Sequence, residues 1–175
     1  MPDIKSIEAA IELSKDESKL LGVKLGAKTI TRGEHIPKAE ARDTPELSFD
    51  VPSGTYIGVN IDLDAPFPSF PFLGPILHWV QPGLAPTKAA DGTTVLSAST
   101  TPPIASYIPP GPPPPSAPHR YVFLLYEQPE DFDAMKFMPG GQPMTHFKRI
   151  RYDYAAFEKE AKLGPLIASN YFVSN

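Results

Sequence analysis

The sequence predicts a mainly β fold with a few short flanking helices, and three observations carry that expectation. Proline takes 23 of 175 positions, well above an average usage of roughly 5%. A residue with no amide proton, whose ring clashes with the preceding turn, leaves little room for long helices. Residues 55–64 alternate apolar and polar side chains with the period of two that a strand requires. Residues 121–126, YVFLLY, form an apolar run too short for a helix and without alternation, as in a central strand covered on both faces.

The elements follow in order. Ile4, Ile7 and Ile11 fall at helical spacing, and Ser14 with Glu17 reads as a capping box ahead of Leu20 and Leu21, so residues 1–21 should hold one or two short helices. Val23, Leu25, Ala27 and Thr29 alternate with Lys24, Gly26 and Lys28, as one half-buried strand would. Residues 33–45 are polar and irregular. Leu47, Phe49 and Val51 alternate before a Pro52-Ser53-Gly54 turn. From Thr55 the odd positions Ile57, Val59, Ile61 and Leu63 are apolar and the even ones are not, so Asp62 and Asp64 should leave one sheet face together. Residues 76–81, ILHWVQ, resume as a strand in which His78 shares a face with Ile76 and Val80 while Trp79 takes the other.

Residues 82–93 read as a loop and residues 94–97 as a short strand. Nine of the seventeen residues from 102 to 118 are proline, which makes this stretch a stiff loop feeding the 121–126 strand. Pro129 ends that strand, and residues 131–143 read as loop or a short helical turn. Asp153 is placed to cap a helix through Glu160 that stops at Gly164-Pro165, and residues 166–173 close the chain as a last strand. No repeat or linker divides the sequence. One domain over 1–175 is expected, with a helical segment over 1–21 and a β core over 22–173, large enough to bury about 70% of its unfolded surface.

Composition removes several function classes. With 16 basic against 20 acidic residues the net charge is −4, and no Lys or Arg stripe offers a nucleic-acid footprint. Membrane contact is expected to be at most peripheral. The absence of cysteine excludes a disulfide framework and a thiolate zinc site. Charges run through residues 1–17 with no apolar core for a signal peptide, and no window approaches the ~20 apolar residues of a span. A cytoplasmic location is expected.

The chemistry gathers where the proline loop meets His119 and Arg120. A metal site from His78, His119, Asp62 and Asp64, with His146 in reserve, has suitable residue types but no H-x3-H or H-E-x-x-H spacing, and no metal or other cofactor is expected. A hydrolase lacks the G-x-S-x-G elbow, and Ser116 lies in a proline tract. The Pro110 to Pro115 run could serve an adaptor as a ligand for SH3 or WW-type domains. An anion pocket is the fourth reading. Imidazoles ordered by carboxylates can donate to an anion, Gly111 lets backbone approach a ligand, and Tyr121 or Trp79 can supply a wall. Against it stand duller readings, a solvated face for Asp62 and Asp64 and a satisfied core histidine for His78.

Three motifs tip the balance. D-L-D-A-P at residues 62–66, L-H-W at 77–79 and Y-x3-G-P-P-x5-H-R-Y-V-F-L-L-Y-E-Q at 107–128 resemble the signatures of the phosphatidylethanolamine-binding protein family. The likeness is greatest to its fungal members, one of which inhibits a carboxypeptidase, and spans roughly residues 20–173. It implies a large antiparallel sheet packed on a smaller one, with short helices at the flanks. It also implies a non-enzymatic binding protein whose pocket takes phosphate or a phosphoethanolamine-type anion and which regulates a partner such as a kinase or a serine carboxypeptidase. By position, the resemblance assigns Asp62, Asp64, Pro66, His78, Gly111, Pro113, His119, Arg120 and Tyr121 to that pocket. His78 and the Gly111 loop would meet the anion, Tyr121 would wall it, and the two aspartates would order imidazoles and loop. Leu63, Phe67 and Pro109 depart from the family pattern. With Asn175 only a few residues past N-Y-F, the C-terminal helix of animal members is expected to be missing and the mouth more open.

Overall fold

A computed structural model describes residues 2–98 and 100–175; Met1 and Ser99 of the expected single domain lie outside the described residues. Eight strands form one antiparallel sheet in the order β2-β1-β3-β6-β5-β4-β7-β8. They are β1 (Gly22–Leu25), β2 (Lys28–Thr29), β3 (Glu46–Ser48), β4 (Tyr56–Asp62), β5 (Ile76–Lys88), β6 (Thr94–Ser97), β7 (His119–Glu127) and β8 (Ala168–Ser174). The long β5 belongs to both ends of the sheet. It pairs with β4 from Ile76 to Leu84 and with β6 from Ala85 to Lys88, so the sheet curls and its smaller end packs on its larger one.

The curl encloses one core, in which Leu47, Leu96 and Val23 of the smaller end meet Trp79, Phe123 and Phe172 of the larger. Gly58 makes this approach possible, since a Cβ there would stand 2.7 Å from a Leu47 methyl. A second core covers the outer face of the larger end. Helices α1 (Lys5–Leu13) and α2 (Tyr154–Glu160) lay Ile7, Ala10, Tyr154 and Phe157 on Ile57, Val59, Ile61 and Val122. Burying each such large side chain is worth about 1.5–3 kcal/mol. β7 lies between β4 and β8 and is buried on both faces, as its unbroken apolar run requires. Among the described residues no helix is long and apolar enough to cross a membrane.

Several expectations about elements are corrected. The one strand expected over residues 23–29 is a hairpin, because Gly26 adopts φ +57° and turns the chain between β1 and β2. Ser14 does not open a capping box; its hydroxyl donates to the Ile11 carbonyl at the end of α1, and Asp16 caps the following turn by accepting the Ser18 amide at 2.9 Å. Residues 82–88 are strand rather than loop despite Pro82 and Pro86. Pro82 falls in a ladder irregularity opposite β4, and beyond Leu84 β5 pairs with no strand on its β4 side among the described residues, so a proline there forfeits no ladder bond. The helix at Asp153 forms as expected, its carboxylate accepting the Ala156 amide at 3.0 Å.

Candidate functional site

The larger end of the sheet closes around a cavity of about 400 Å³. Asp62 ends β4, His119 begins β7, and His78 stands near the start of β5. Three loops complete the wall: Pro66 and Leu73 from one, Ile108, Gly111 and Pro113 from the proline loop, and His146, Arg149 and Ile150 from a helical turn.

His78 reaches the cavity through a β-bulge. Asn60 pairs with Trp79 but Ile61 pairs with Leu77, so His78 is the extra residue on β5. An inserted residue re-aims its side chain and resets the alternation. His78 therefore does not share a face with both Ile76 and Val80 as expected; Leu77 and Val80 pack into the same core. Its Nδ1–H donates to the Ile108 carbonyl at 2.7 Å, leaving Nε2 4.0 Å from Asp62 Oδ2. Burial lowers the His78 pKa and outweighs the attraction of Asp62, so the ring is neutral with a bare nitrogen.

His119 behaves in the opposite sense. Its Nδ1–H donates to Asp62 Oδ2 at 2.8 Å, and Nε2 lies 3.1 Å from the Pro66 carbonyl and 3.0 Å from Ser116 Oγ. A carbonyl can only accept, so the geometry calls for a proton on each nitrogen. Burial opposes the charge, but the hydrogen bond and charge of Asp62, helped by the Pro66 carbonyl and Asp64, raise the His119 pKa above its ordinary value.

The two aspartates part company. Asp62 turns inward, while Asp64 lies beyond the strand end, donates its amide to Asp62 Oδ1 at 2.8 Å and binds Arg120. Arg120 gives Asp64 its backbone amide at 2.8 Å and its guanidinium at 2.7 and 2.9 Å. Both carboxylates are buried, which overturns the solvated-face reading. Asp62, Pro66, His78, Gly111, Pro113 and His119 line the cavity, whereas Asp64, Arg120 and Tyr121 do not. The Asp64–Arg120 pair braces the strand end from outside. Tyr121 stands behind the wall, edge-on to His78 at 5.1 Å and stacked on Phe172, its buried hydroxyl without a hydrogen-bond partner among the described residues. Trp79 belongs to the core inside the curl. A Cβ built on Gly111 meets nothing within 4 Å, so this position has space in front of it. In the proline run, Pro112 is buried with its carbonyl accepting from Lys38, Pro113 lines the cavity, and the Pro113 carbonyl accepts the Ser116 amide at 2.8 Å. Among the described residues no set of three or more His, Cys, Asp or Glu is arranged as a metal site.

Arg149 is the residue that sequence reasoning missed. It is 3% exposed, yet among the described residues its guanidinium has no carboxylate partner. Nε and one terminal nitrogen donate to the Met144 carbonyl at 3.0 and 2.8 Å. The other donates to the carbonyls of Ser106 at 2.6 Å and His78 at 3.4 Å. That occupies four of the five donors of an arginine and puts a buried positive charge on the cavity wall. The sequence signal was faint: residues 144–151, MTHFKRIR, carry basic residues and no acid.

Fold and site together define a class: a curled antiparallel β domain whose strand ends close round a small, mainly apolar cavity with a few polar side chains on its wall. The family model described as phosphatidylethanolamine-binding protein matches residues 26–170, and the chain belongs to that family. It is 29% identical over 170 residues to the carboxypeptidase Y inhibitor of Saccharomyces cerevisiae, covering 82% of this chain and 77% of that one. It is 36% identical over 104 residues to the phomoidride biosynthesis cluster protein N of Talaromyces stipitatus, covering 57% of this chain and 50% of that one; it thus spans half that relative's length. The crystal structure of carboxypeptidase Y inhibitor complexed with the cognate proteinase superposes with a TM-score of 0.73 at 24% identity, over 96% of this chain and 95% of that one. The phosphatidylethanolamine-binding protein from Plasmodium vivax gives 0.64 at 15% identity, over 95% and 97%. At such identities the likeness speaks for the fold.

Proposed function

We propose that this chain is a non-enzymatic binding protein whose cavity takes a small phosphate-type anion, with phosphoethanolamine as the model ligand, and which regulates a partner peptidase. The observation that carries the pocket is Arg149, a buried guanidinium held by carbonyls, unpaired with any carboxylate among the described residues, and facing a cavity. A buried charge without an opposite charge is costly, and an anion in the cavity would supply the compensation. The negative charge of Asp62 is already engaged by His119, so it repels such a ligand less than a free carboxylate would. The bare Nε2 of His78 adds an acceptor suited to an ammonium or a protonated phosphate oxygen.

Ser116, His119 and Asp62 stand in the line of a nucleophile, base and carboxylate, an arrangement the proline tract had concealed. The hydrogen bonds favour a non-hydrolytic reading of this line. Ser116 Oγ donates to the Ala117 carbonyl at 2.8 Å, and His119 Nε2 faces the Pro66 carbonyl as a donor. A protonated imidazole cannot take a proton from serine.

Titrating phosphoethanolamine into labelled protein should shift the amide of Gly111 and the side-chain signals of His78 and Arg149. Gly111→Ala should weaken binding with an unchanged Tm, because its new methyl enters open space. Absence of any shift in the wild type would sink the pocket. The regulatory half rests on the yeast relative, by name an inhibitor of carboxypeptidase Y. Carboxypeptidase Y activity should fall as this protein is titrated in, and undiminished activity at a large molar excess would remove that partner.

A further inference from the structure

Leu73, Ile76, Ile108 and Ile150 pack into neither of the two hydrophobic cores, and none of the four is buried. They come from the loop after β4, the first residue of β5, the proline loop and the turn that carries Arg149, yet all four line the one cavity. Ala65, Pro66, Pro109 and Pro113 fill much of the remaining wall. An aliphatic side chain left half in water gains little until something apolar covers it. Backbone bonds hold this wall in shape before any ligand arrives: the Ile108 amide donates to the His78 carbonyl at 3.0 Å and the Arg151 amide to the Leu73 carbonyl at 3.0 Å.

The polar part of the wall is already largely engaged. Asp62 is held by His119 and by the Asp64 amide, and both nitrogens of His119 have partners. Among the described residues the buried charge left over is the single positive charge of Arg149, with one of its five N–H donors free. The bare Nε2 of His78 is one acceptor, and an ammonium has three N–H groups to satisfy. One uncompensated positive charge, few free donors and an idle aliphatic wall suit a ligand with one negative charge and a hydrocarbon body. We propose that the cavity takes a compact amphiphilic monoanion, a carboxylate or singly charged phosphate ester whose hydrocarbon body enters the cavity with its head. This rests on the pocket reading above and deepens it: the head meets Arg149 and the Gly111 loop, and the body covers Leu73, Ile76, Ile108 and Ile150. A cavity of about 400 Å³ falls in the range of sites that bury most of a small organic ligand, whereas a bare phosphate would leave the aliphatic wall wet.

The test is titration of the full chain, followed by NMR, with straight-chain carboxylates from acetate to hexanoate and with phosphoethanolamine. Affinity should rise about fourfold with each added methylene, the gain for burying one CH₂, and hexanoate should bind more tightly than phosphoethanolamine. Hexan-1-ol, which keeps the body and drops the charge, should bind much more weakly than hexanoate. Leu73→Ser with Ile150→Ser should cut hexanoate affinity at least about tenfold and acetate affinity much less, whereas a distorted site would weaken both alike. An unchanged Tm confirms that the fold persists. Affinity flat across the series, or hexan-1-ol binding as well as hexanoate, overturns the proposal; phosphoethanolamine shifts at Gly111 and Arg149 would then leave the pocket reading standing without it. A rising series in a protein that shows no phosphoethanolamine shift upholds the hydrocarbon body and refutes the phosphate-type ligand. Silence towards every probe refutes both.

Discussion

Asp62→Ala should destabilise the protein by about 3–5 kcal/mol, the usual cost of removing one partner of a buried ion pair. The effect is large because His119 is 1% exposed and depends on this carboxylate for its charge. Asp62 Oδ1 also accepts the Asp64 amide, so the loss spreads into the turn after β4. In a domain of this size the change amounts to a fall in Tm of roughly 10 °C. Arg120→Ala is the contrast. Its side chain is 40% exposed, solvent screens its pair with Asp64, and a loss of about 1 kcal/mol is expected. Urea unfolding of both variants checks the order; an Asp62→Ala loss no larger than that of Arg120→Ala would show that His119 holds its place without the carboxylate.

The same pair sets a pH dependence. The folded pKa of His119 lies above the ordinary 6.5, so the stability contributed by its charge is complete below 6.5 and is lost as pH rises through the folded value. His78 works from the other side. Its folded pKa lies below 6.5, so as pH falls under 6.5 the unfolded chain takes up the proton first, and stability declines until the folded value is reached. The two histidines together favour the fold most near 6.5. In Asp62→Asn the alkaline decline should flatten, and anion affinity, which also gains from the His119 charge, should lose its fall with rising pH.

Arg149→Ala should abolish measurable phosphoethanolamine binding and cost roughly 3 kcal/mol of stability. The stability loss arises because the part-buried Met144 and Ser106 carbonyls and the buried His78 carbonyl lose guanidinium hydrogen bonds, at about 1–3 kcal/mol for a fully buried group left unsatisfied and less where water can reach it. The binding loss arises because the cavity keeps Asp62 and loses its buried cation. Arg149→Lys separates the two effects, for lysine keeps the charge but cannot reach several carbonyls with one planar fork. It should be nearly as unstable as the alanine variant while retaining part of the affinity, as read by calorimetric titration at low salt. Equal affinity in wild type, lysine and alanine variants would make Arg149 a purely structural strut.

Much of this architecture was legible because it depends on local pattern. The 121–126 run had to be a doubly covered strand, since no other short element hides six consecutive apolar side chains. Asp153 had to cap α2, because an acceptor one residue before a helix has free amides in reach. The even face of β4 was harder. Alternation marked it as polar, yet Tyr56, Gly58 and Asn60 are buried, because the curl of the sheet brings β3 over them. The site was half legible: Asp62, His78, Gly111 and His119 come from stretches of distinctive composition, whereas Arg149 comes from a stretch whose role depends on what lies opposite.

The sequence by itself determined the β class, the central strand, the stiff proline loop and the placing of His119 at the junction of the two. Periodicity and backbone chemistry act over a few residues and need no partner to be read. Only the tertiary structure decided that one bulge aims His78 at the cavity, that Asp62 and Asp64 serve different cations, and that a guanidinium from residue 149 is buried beside a carbonyl from residue 78. These are contacts between segments far apart in the chain. Whether a carboxylate is solvated, paired or facing a ligand depends on which distant groups the fold brings to within a few ångströms, and that is a property of the packed molecule.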